Sequence, residues 1–280
     1  MSLRRRLAEH VNGYLTRELP VARAPLCDFE KLRFEIRQAD VLLLEGRTRV
    51  SEVIKLITQS PWTHSALYVG RLADMDDPAL RERVRAHHQG AAEDQLIIEA
   101  LIGRGTVVTP LERYRGEHLR ICRPRGLSRT DSQTVIARVA ACLGVAYDLR
   151  QLLDLGRFLF PWTVLPRRWR SSLFEHNIGE PTRTVCSTLL VDAFSAVNFP
   201  VLPVVRSGAD GRVRLYPRNS RLFTPSDFDY SPYFDIIKYP YVAFDEGALY
   251  RRLPWEHGTV CNDDDEPVAL PAPVAPPRNG

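Results

Sequence analysis

The sequence predicts an α+β domain built on an antiparallel sheet, and patterns of two kinds predict it. Short apolar runs of strand length occupy 40–45 (DVLLLE), 64–70 (HSALYVG) and 95–101 (QLIIEAL). Helical patterns near 128–143 and 184–197 carry apolar stripes that need a surface on which to pack. A chain of 280 residues with 44% hydrophobic residues can bury one core of this kind. We therefore expect one large domain that carries insertions.

The first of these helical patterns has both a start and a stop signal. Ser128 or Thr130 can act as the N-cap, because either hydroxyl can accept a hydrogen bond from a backbone N–H of the first turn. Val135 and Val139 then recur on one face, and Gly144 favours the left-handed backbone that ends many helices. The pattern predicts a helix that packs one apolar face against the sheet.

Other stretches also predict regular structure. RVSEVIKLITQS predicts a short helix with Leu56 on its apolar face, and Asp77 followed by Pro78 predicts the start of another helix. The remaining expected elements are strands in GTVVTPLERY and HLRICRP, a hairpin in VVRSGADGRVRLYPR, and a return to strand in TPSDFDYSPYFDIIKY. These elements complete the expected sheet.

The expected boundaries follow from changes in composition along the chain. The last 18 residues combine acidic residues with Pro and Ala and cannot bury enough surface to order themselves. We expect an N-terminal helix and lead-in at 1–38, a main domain at 39–262 with insertions at 74–94, 150–182 and 204–222, and a disordered tail at 263–280.

Charge and motifs exclude several function classes. Lys and Arg outnumber Asp and Glu by 38 to 34, and the arginines are scattered, which argues against nucleic acid as a partner. The sequence has no H-E-x-x-H zinc motif, no phosphate-binding G-x-x-x-x-G-K-[ST] loop and no G-x-S-x-G serine elbow. Adjacent His87 and His88 lack a third ligand at a suitable spacing. We expect neither a metal nor an organic cofactor.

The cysteines and the N-terminus bear on the compartment. The five cysteines are well separated and contain no C-x-x-C pair, which argues for reduced thiols rather than a disulfide framework. The N-terminus lacks the apolar core of a secretory signal, and no run reaches the roughly 20 apolar residues of a membrane span. We expect a cytoplasmic protein, with export by a route without such a signal left open.

Two segments leave their role open. Residues 3–15 predict an amphipathic helix that either docks on its own domain or makes a peripheral contact with a membrane. Residues 151–165 are apolar and broken by proline, so they cover either the core or a ligand with a greasy portion. The arginines around Trp169 either meet an anionic group or form a solvated loop. The oligomeric state is also open.

Three residues form a candidate catalytic set. Cys186 falls in the first turn of the second helical pattern, behind a possible cap at Thr182 or Thr184, and a helix N-terminus stabilises a thiolate. A thiolate nucleophile needs a general base, and the base needs a third group to orient it. His64 and Glu99 lie in neighbouring strand patterns and fit these two roles.

Six blocks resemble, in the same order, the circularly permuted, YiiX-like branch of the NlpC-type papain-like cysteine hydrolases. They are ADVLLLEG, THSALYVG, IIEAL, LGVAYD, VCSTLLVDAF and TPSDFDYSP, all between residues 39 and 233. In that branch the histidine strand precedes the cysteine helix, as His64 precedes Cys186 here. The resemblance implies a circularly permuted papain-like fold, with the nucleophile helix packed on an antiparallel sheet.

The resemblance also implies roles for individual residues. Cys186 is the nucleophile, His64 the base and Glu99 the orienting group. The tyrosine of GVAYD, Tyr147, lies beside the nucleophile, where its hydroxyl or the backbone near Cys186 and Ser187 donates to an oxyanion. Family members often carry CSEL or CSGL where this chain has CSTL, so a substrate contact by an acidic residue is not carried over.

These roles predict a cysteine hydrolase that cleaves an amide, ester or thioester bond through an acyl-enzyme. The expected substrate is a small peptide, such as a cell-wall peptide, or a lipid-like acyl compound. Two alternatives stay open. The first alternative is an acyltransferase or phospholipase-like enzyme related to the lecithin–retinol acyltransferase group, although that group's cysteine motif is absent. The second alternative is a non-catalytic binding module on the same fold.

Overall fold

The computed structural model describes residues 26–145, 186–208 and 210–242, together with 253, 255–256, 259–261 and 268–269. Several predictions fall outside these residues and stay predictions. They are the amphipathic helix before residue 16, Tyr147, the insertion at 150–182, the helix caps at Thr182 and Thr184, and most of the C-terminal tail.

Six helices and ten strands lie within the described part of the chain. The helices are α1 (Phe29–Glu35), α2 (Arg49–Thr58), α3 (Pro78–Ala86), α4 (Arg129–Ala140), α5 (Cys186–Ser195) and α6 (Ser226–Tyr230). The strands are β1 (Val41–Glu45), β2 (His64–Gly70), β3 (Leu96–Leu101), β4 (Gly105–Pro110), β5 (His118–Pro124), β6 (Val204–Ser207), β7 (Val213–Tyr216), β8 (Phe234–Ile237), β9 (Thr259–Val260) and β10 (Val268–Ala269).

The main sheet has six strands in the order β4-β3-β2-β1-β5-β8. Every neighbouring pair is antiparallel, as the sequence predicted. In the register of the central strands, Leu44 lies opposite His64 on one side and Leu119 on the other. The end of β1 and the starts of β2 and β5 therefore share one rim of the sheet.

Each face of the sheet covers its own apolar core, because successive side chains of a strand point to opposite faces. On one face Leu67 and Val69 of β2 pack with helices α3, α4 and α5. On the other face Ala66 and Tyr68 pack with α1, which contributes Phe29 and Leu32. Helix α1, in the predicted lead-in, thus packs on the main sheet. The architecture is an α+β fold with a large antiparallel sheet.

The helix termini follow the predicted signals where they can be compared. The Ser128 hydroxyl accepts from the backbone N–H of Asp131, and Gly144 has a φ of 79° just beyond the helix. The Asp77 side chain accepts from the N–H of Ala79 at the start of α3. Leu80 and Val84 of α3 are buried in the first core, so the 74–94 insertion contributes to that core.

The predicted return to strand at 224–239 is wrong over its first half. Residues 226–230 form helix α6, and only 234–237 form a strand, β8. The Asp227 carboxylate accepts from the backbone N–H of Thr224 at 2.6 Å and holds the turn that leads into the helix at Pro225. The T-x-x-D spacing of this start signal was present in the sequence.

Three further outcomes concern exposed elements. Leu56, expected on an apolar face of its helix, is 73% exposed. The predicted hairpin forms between β6 and β7, and the residues of both strands are exposed. Within the predicted tail, Val268–Ala269 pairs with Thr259–Val260.

Among the described residues, no helix has the length and apolar character that a membrane crossing requires.

Candidate active site

The His64 and Glu99 side chains meet at the rim where β2 begins. His64 is the first residue of β2, and its Nε2 lies 2.7 Å from Oε2 of Glu99 in the adjacent strand β3. Both residues follow the strand alternation of the second core, since His64 is in phase with Ala66 and Glu99 with Ile97. The strand pattern therefore brings together the predicted base and its predicted orienting group.

Glu99 is a fully buried carboxylate that accepts hydrogen bonds from several donors. Its side chain has no exposed surface, and the Tyr114 hydroxyl lies 2.9 Å from Oε1 and 2.7 Å from Oε2. Burial raises the pKa of Glu99, but hydrogen bonds and charge from His64, with further bonds from Thr109 and Tyr114, outweigh burial and lower it. Glu99 is therefore held as a carboxylate facing His64.

Cys186 lies at the start of α5, whose apolar face packs on β2 and β3. The residue is 7% exposed, and Leu189, Leu190, Ala193 and Phe194 of the same helix join the first core. Burial raises the pKa of the Cys186 thiol, yet the charge and hydrogen bond of His64 and the Ser65 contacts lower it overall. The predicted packing of this helix on the sheet is confirmed.

His64 links the buried carboxylate to the thiol. Its side chain is 17% exposed, and Glu99 occupies Nε2, which leaves Nδ1 as the ring nitrogen that can interact with the Cys186 sulfur. Burial lowers the pKa of His64, but the Cys186 thiolate and the Glu99 carboxylate outweigh burial and raise it. The opposite shifts of His64 and Cys186 favour a thiolate–imidazolium pair.

Ser65 is a neighbour of Cys186 that the sequence analysis missed. The hydrogen bond of its backbone N–H lowers the pKa of the Cys186 thiol. The hydroxyl is buried and has no hydrogen-bond partner among the described residues. The pairing of β2 with β3 starts at Leu67, so His64, Ser65 and Ala66 pair with β1 alone. The backbone at the start of β2, next to Cys186, is therefore not paired with β3.

Tyr114 is the second residue that the sequence analysis missed. It ends a 3₁₀ turn, Leu111–Tyr114, directly after β4. Burial raises its pKa, and the neighbouring Glu99 charge raises it further, so the hydroxyl stays protonated as a donor. The only sequence signal was an aromatic hydroxyl one turn beyond a strand that neighbours β3. That signal is common, and nothing in it points to Glu99.

The remaining predicted site residues have different outcomes. Ser187 is fully buried, and its hydroxyl donates to the carbonyl oxygen of Phe223 at 2.6 Å, so this side chain is engaged within the protein. Tyr147 lies outside the described residues. His88 lies 3.1 Å from the Asp94 carboxylate. Within the described ranges, no group of three or more His, Cys, Asp and Glu residues is arranged to hold a metal ion.

Comparisons with known proteins add a distant likeness. No protein-family model and no curated protein matches the chain. Among solved structures, the chain is similar to the crystal structure of metalloprotein yiiX from Escherichia coli O157:H7, which is also described as DUF1105. The identity is 14% and the TM-score 0.43, and the match covers 74% of this chain and 98% of that chain. A likeness this distant assigns no activity.

Proposed function

We propose that this chain is a cysteine hydrolase of the circularly permuted, papain-like type that cleaves an amide, ester or thioester bond. The observation that supports the proposal most directly is the position of His64 between Glu99 and Cys186. The proposed nucleophile, base and orienting carboxylate interact in series, which is the arrangement that nucleophilic catalysis requires.

The proposed reaction uses the ion pair in two half-reactions. The Cys186 thiolate attacks the substrate carbonyl carbon, and the new C–S bond places the carbonyl electron pair on oxygen as an oxyanion. When the oxyanion collapses, the bond to the amine, alcohol or thiol breaks, and the His64 imidazolium gives its proton to that leaving group. The products of this half are the released group and the acyl-enzyme.

The second half-reaction restores the enzyme. Neutral His64 takes a proton from water, and the resulting hydroxide attacks the acyl carbon. The C–S bond then breaks, the electron pair returns to Cys186 as thiolate, and the acid is released. Glu99 keeps its charge throughout and stabilises the imidazolium each time it forms.

The protonation states favour a catalytic over a purely structural role. Burying an ionised carboxylate costs free energy unless donors compensate it, and here three side chains donate to one glutamate. A binding module on the same fold would have no need for a thiolate, yet the surroundings of Cys186 favour that form. The substrate is proposed as a small peptide or acyl compound, with water as the acceptor.

An acylating probe tests the proposal. We expect p-nitrophenyl octanoate to release one equivalent of p-nitrophenolate rapidly and to leave an octanoyl group on Cys186, as located by mass spectrometry of peptides. Cys186→Ala should abolish the rapid release, whereas Cys142→Ala should retain it. Acylation of another residue, or no acylation in folded protein, would contradict the proposal. Transfer of the acyl group to an added alcohol or amine rather than to water would favour the acyltransferase alternative.

A further inference from the structure

A second group of polar side chains lies on the rim that carries His64. Strand β1 ends at Glu45, and β5 begins with His118 and places Arg120 two residues further along the same face. Trp62 precedes β2 by two residues and is 2% exposed. The proposed reaction uses none of these side chains.

Arg120 is fixed on two sides. Its Nη1 donates to both carboxylate oxygens of Asp229 in helix α6, at 2.7 and 2.8 Å. Its guanidinium carbon lies 4.5 Å from the centre of the Trp62 ring, and the Trp62 indole N–H also donates to Asp229, at 3.4 Å. Aromatic stacking and a carboxylate contact together restrict the orientation of the guanidinium group.

The rest of the guanidinium is available. Within the described part of the chain, Nε and Nη2 of Arg120 have no hydrogen-bond partner, and the side chain is 19% exposed. These two N–H groups form the edge that binds a carboxylate through two parallel hydrogen bonds. Arg120 therefore offers a pre-oriented fork at the protein surface.

His118 lies beside Trp62, the ring on which Arg120 stacks. Its ring centre lies 5.1 Å from that of Trp62, and its Nδ1 is 2.9 Å from Oε2 of Glu45. Hydrogen bonding from His118 and from Lys55 outweighs burial and lowers the pKa of Glu45 to about 2, so Glu45 is ionised at neutral pH. The carboxylates of Glu45 and Asp229 balance the positive charges of Lys55 and Arg120. We therefore expect the fork to select ligands by hydrogen-bond geometry more than by net charge.

The fork lies at a useful distance from the nucleophile. Ser65, which contacts Cys186, pairs with Leu43 of β1, and Leu43 pairs with Arg120 of β5. Two steps across a sheet separate the Cα atoms of Ser65 and Arg120 by about 10 Å. A single extended substrate can therefore reach both Cys186 and Arg120.

We infer that Arg120, stacked on Trp62 and held by Asp229, binds a carboxylate of the substrate. The preferred substrate is then an acyl compound or peptide that carries a free carboxylate on the order of 10 Å from the bond that is cleaved, a scale set by the Cα separation of Ser65 and Arg120. This inference rests on the proposed hydrolase function and specifies its substrate class.

Paired esters test this inference. The probes are p-nitrophenyl monoesters of five-, eight- and ten-carbon dicarboxylic acids, each compared with the same compound capped as a methyl ester at the distal end. We expect wild-type protein to be acylated on Cys186 at least tenfold faster by the free acid than by the capped ester, with the largest ratio at a chain length of eight or ten carbons.

Variants then assign the preference to the fork. Arg120→Gln should bring the ratio of acid to capped ester close to one. Arg120→Lys keeps the charge but not the fork and should lose most of the preference. Arg125→Gln removes an exposed arginine from just beyond the opposite end of β5 and should keep the wild-type ratio. Circular dichroism and thermal melting check that each variant is folded.

The outcomes separate the two proposals. Equal acylation of wild-type protein by acid and capped esters, or a preference that Arg120→Gln retains, overturns the carboxylate site and leaves the hydrolase intact. Failure of every ester to acylate Cys186 in folded protein overturns the hydrolase and the site together. Because the wild-type ratio is itself decisive, the test does not depend on Arg120→Gln being stable.

Discussion

The Tyr114 hydroxyl donates to the Glu99 carboxylate, at 2.9 Å from one oxygen and 2.7 Å from the other. This contact extends the proposed catalytic series by one residue, so that Tyr114 holds Glu99, Glu99 holds His64, and His64 interacts with Cys186. A tyrosine on a turn outside the sheet thereby influences the charge at the nucleophile.

Tyr114→Phe tests this influence, because it keeps the ring and removes the donor. The buried Glu99 carboxylate should lose stabilisation, its pKa should rise, and kcat on an ester substrate should fall about tenfold, equivalent to about one pKa unit. Tyr68→Phe is the matched control, since Tyr68 is another buried tyrosine on the same face, and its hydroxyl bonds to Gln95 instead. Equal activity of the two variants would show that Tyr114 is structural.

Glu99→Gln tests the orienting group itself. The amide has nearly the same size and keeps much of the hydrogen bonding, but it loses the charge that stabilises the imidazolium. Turnover should fall by about 10² to 10⁴ while the protein stays folded. Full activity on a substrate that Cys186→Ala cannot turn over would assign Glu99 a structural role only.

Ser65→Ala tests whether the buried Ser65 hydroxyl, which has no hydrogen-bond partner among the described residues, stabilises the Cys186 thiolate. Without this donor the thiolate should be less stable, and the pKa of Cys186 should rise by about one unit, as measured by ultraviolet absorbance of the thiolate during titration. Ser231→Ala removes another buried hydroxyl, which donates to the Val201 carbonyl, and should leave the titration unchanged. An unchanged titration in Ser65→Ala would mean that its backbone N–H alone supports the sulfur.

Alkylation rates compare Cys186, the proposed nucleophile, with Cys142. Cys186 should react with iodoacetamide near neutral pH faster than Cys142 does. Burial and the charge of Asp192 raise the pKa of Cys142, whereas the net effect of its surroundings lowers that of Cys186. The modified peptides are quantified by mass spectrometry at several times. Equal or reversed rates in the folded protein would be evidence against Cys186 as the nucleophile.

The pH dependence of activity follows from the two opposite shifts. Because the pKa of Cys186 is lowered, the thiolate persists at a pH below the ordinary range for a thiol. Because the pKa of His64 is raised, the imidazolium persists above the ordinary range for histidine. We expect a bell-shaped profile of kcat/KM between these limits, and Glu99→Gln should move its alkaline limb to lower pH. An alkaline limb unmoved in that variant would argue against the coupling.

The central site residues could be predicted from the sequence because each lies in a regular element with a recognisable pattern. His64 and Glu99 interrupt apolar strands, where an unpaired polar side chain is costly, and Cys186 begins an apolar helix. Neighbouring strands of an antiparallel sheet then bring the two strand residues together. Local patterns and the resemblance therefore agreed on these positions.

Ser65 and Tyr114 could not be predicted in the same way. The contact of Ser65 depends on the loss of β2–β3 pairing at the start of β2, and that of Tyr114 depends on a turn that folds back over β3. Neither the position of Ser65 beside Cys186 nor the contact of Tyr114 with Glu99 corresponds to a pattern in the neighbouring sequence. Helix α6 differs, because its T-x-x-D start signal was present, but the apolar and aromatic residues that follow favoured a strand.

At His64 and Ser65, strand β2 pairs with β1 and not with β3. This arrangement also determines when the Cys186 thiol is expected to become reactive. The thiolate is stabilised by a strand start near the beginning of the domain, whereas the cysteine itself lies more than a hundred residues later in the chain. During synthesis the early strands emerge before Cys186, and an unfolded Cys186 is an ordinary thiol. If Cys186 is the proposed nucleophile, its reactivity is therefore a property of the finished tertiary structure, and the rate of Cys186 alkylation measures folding.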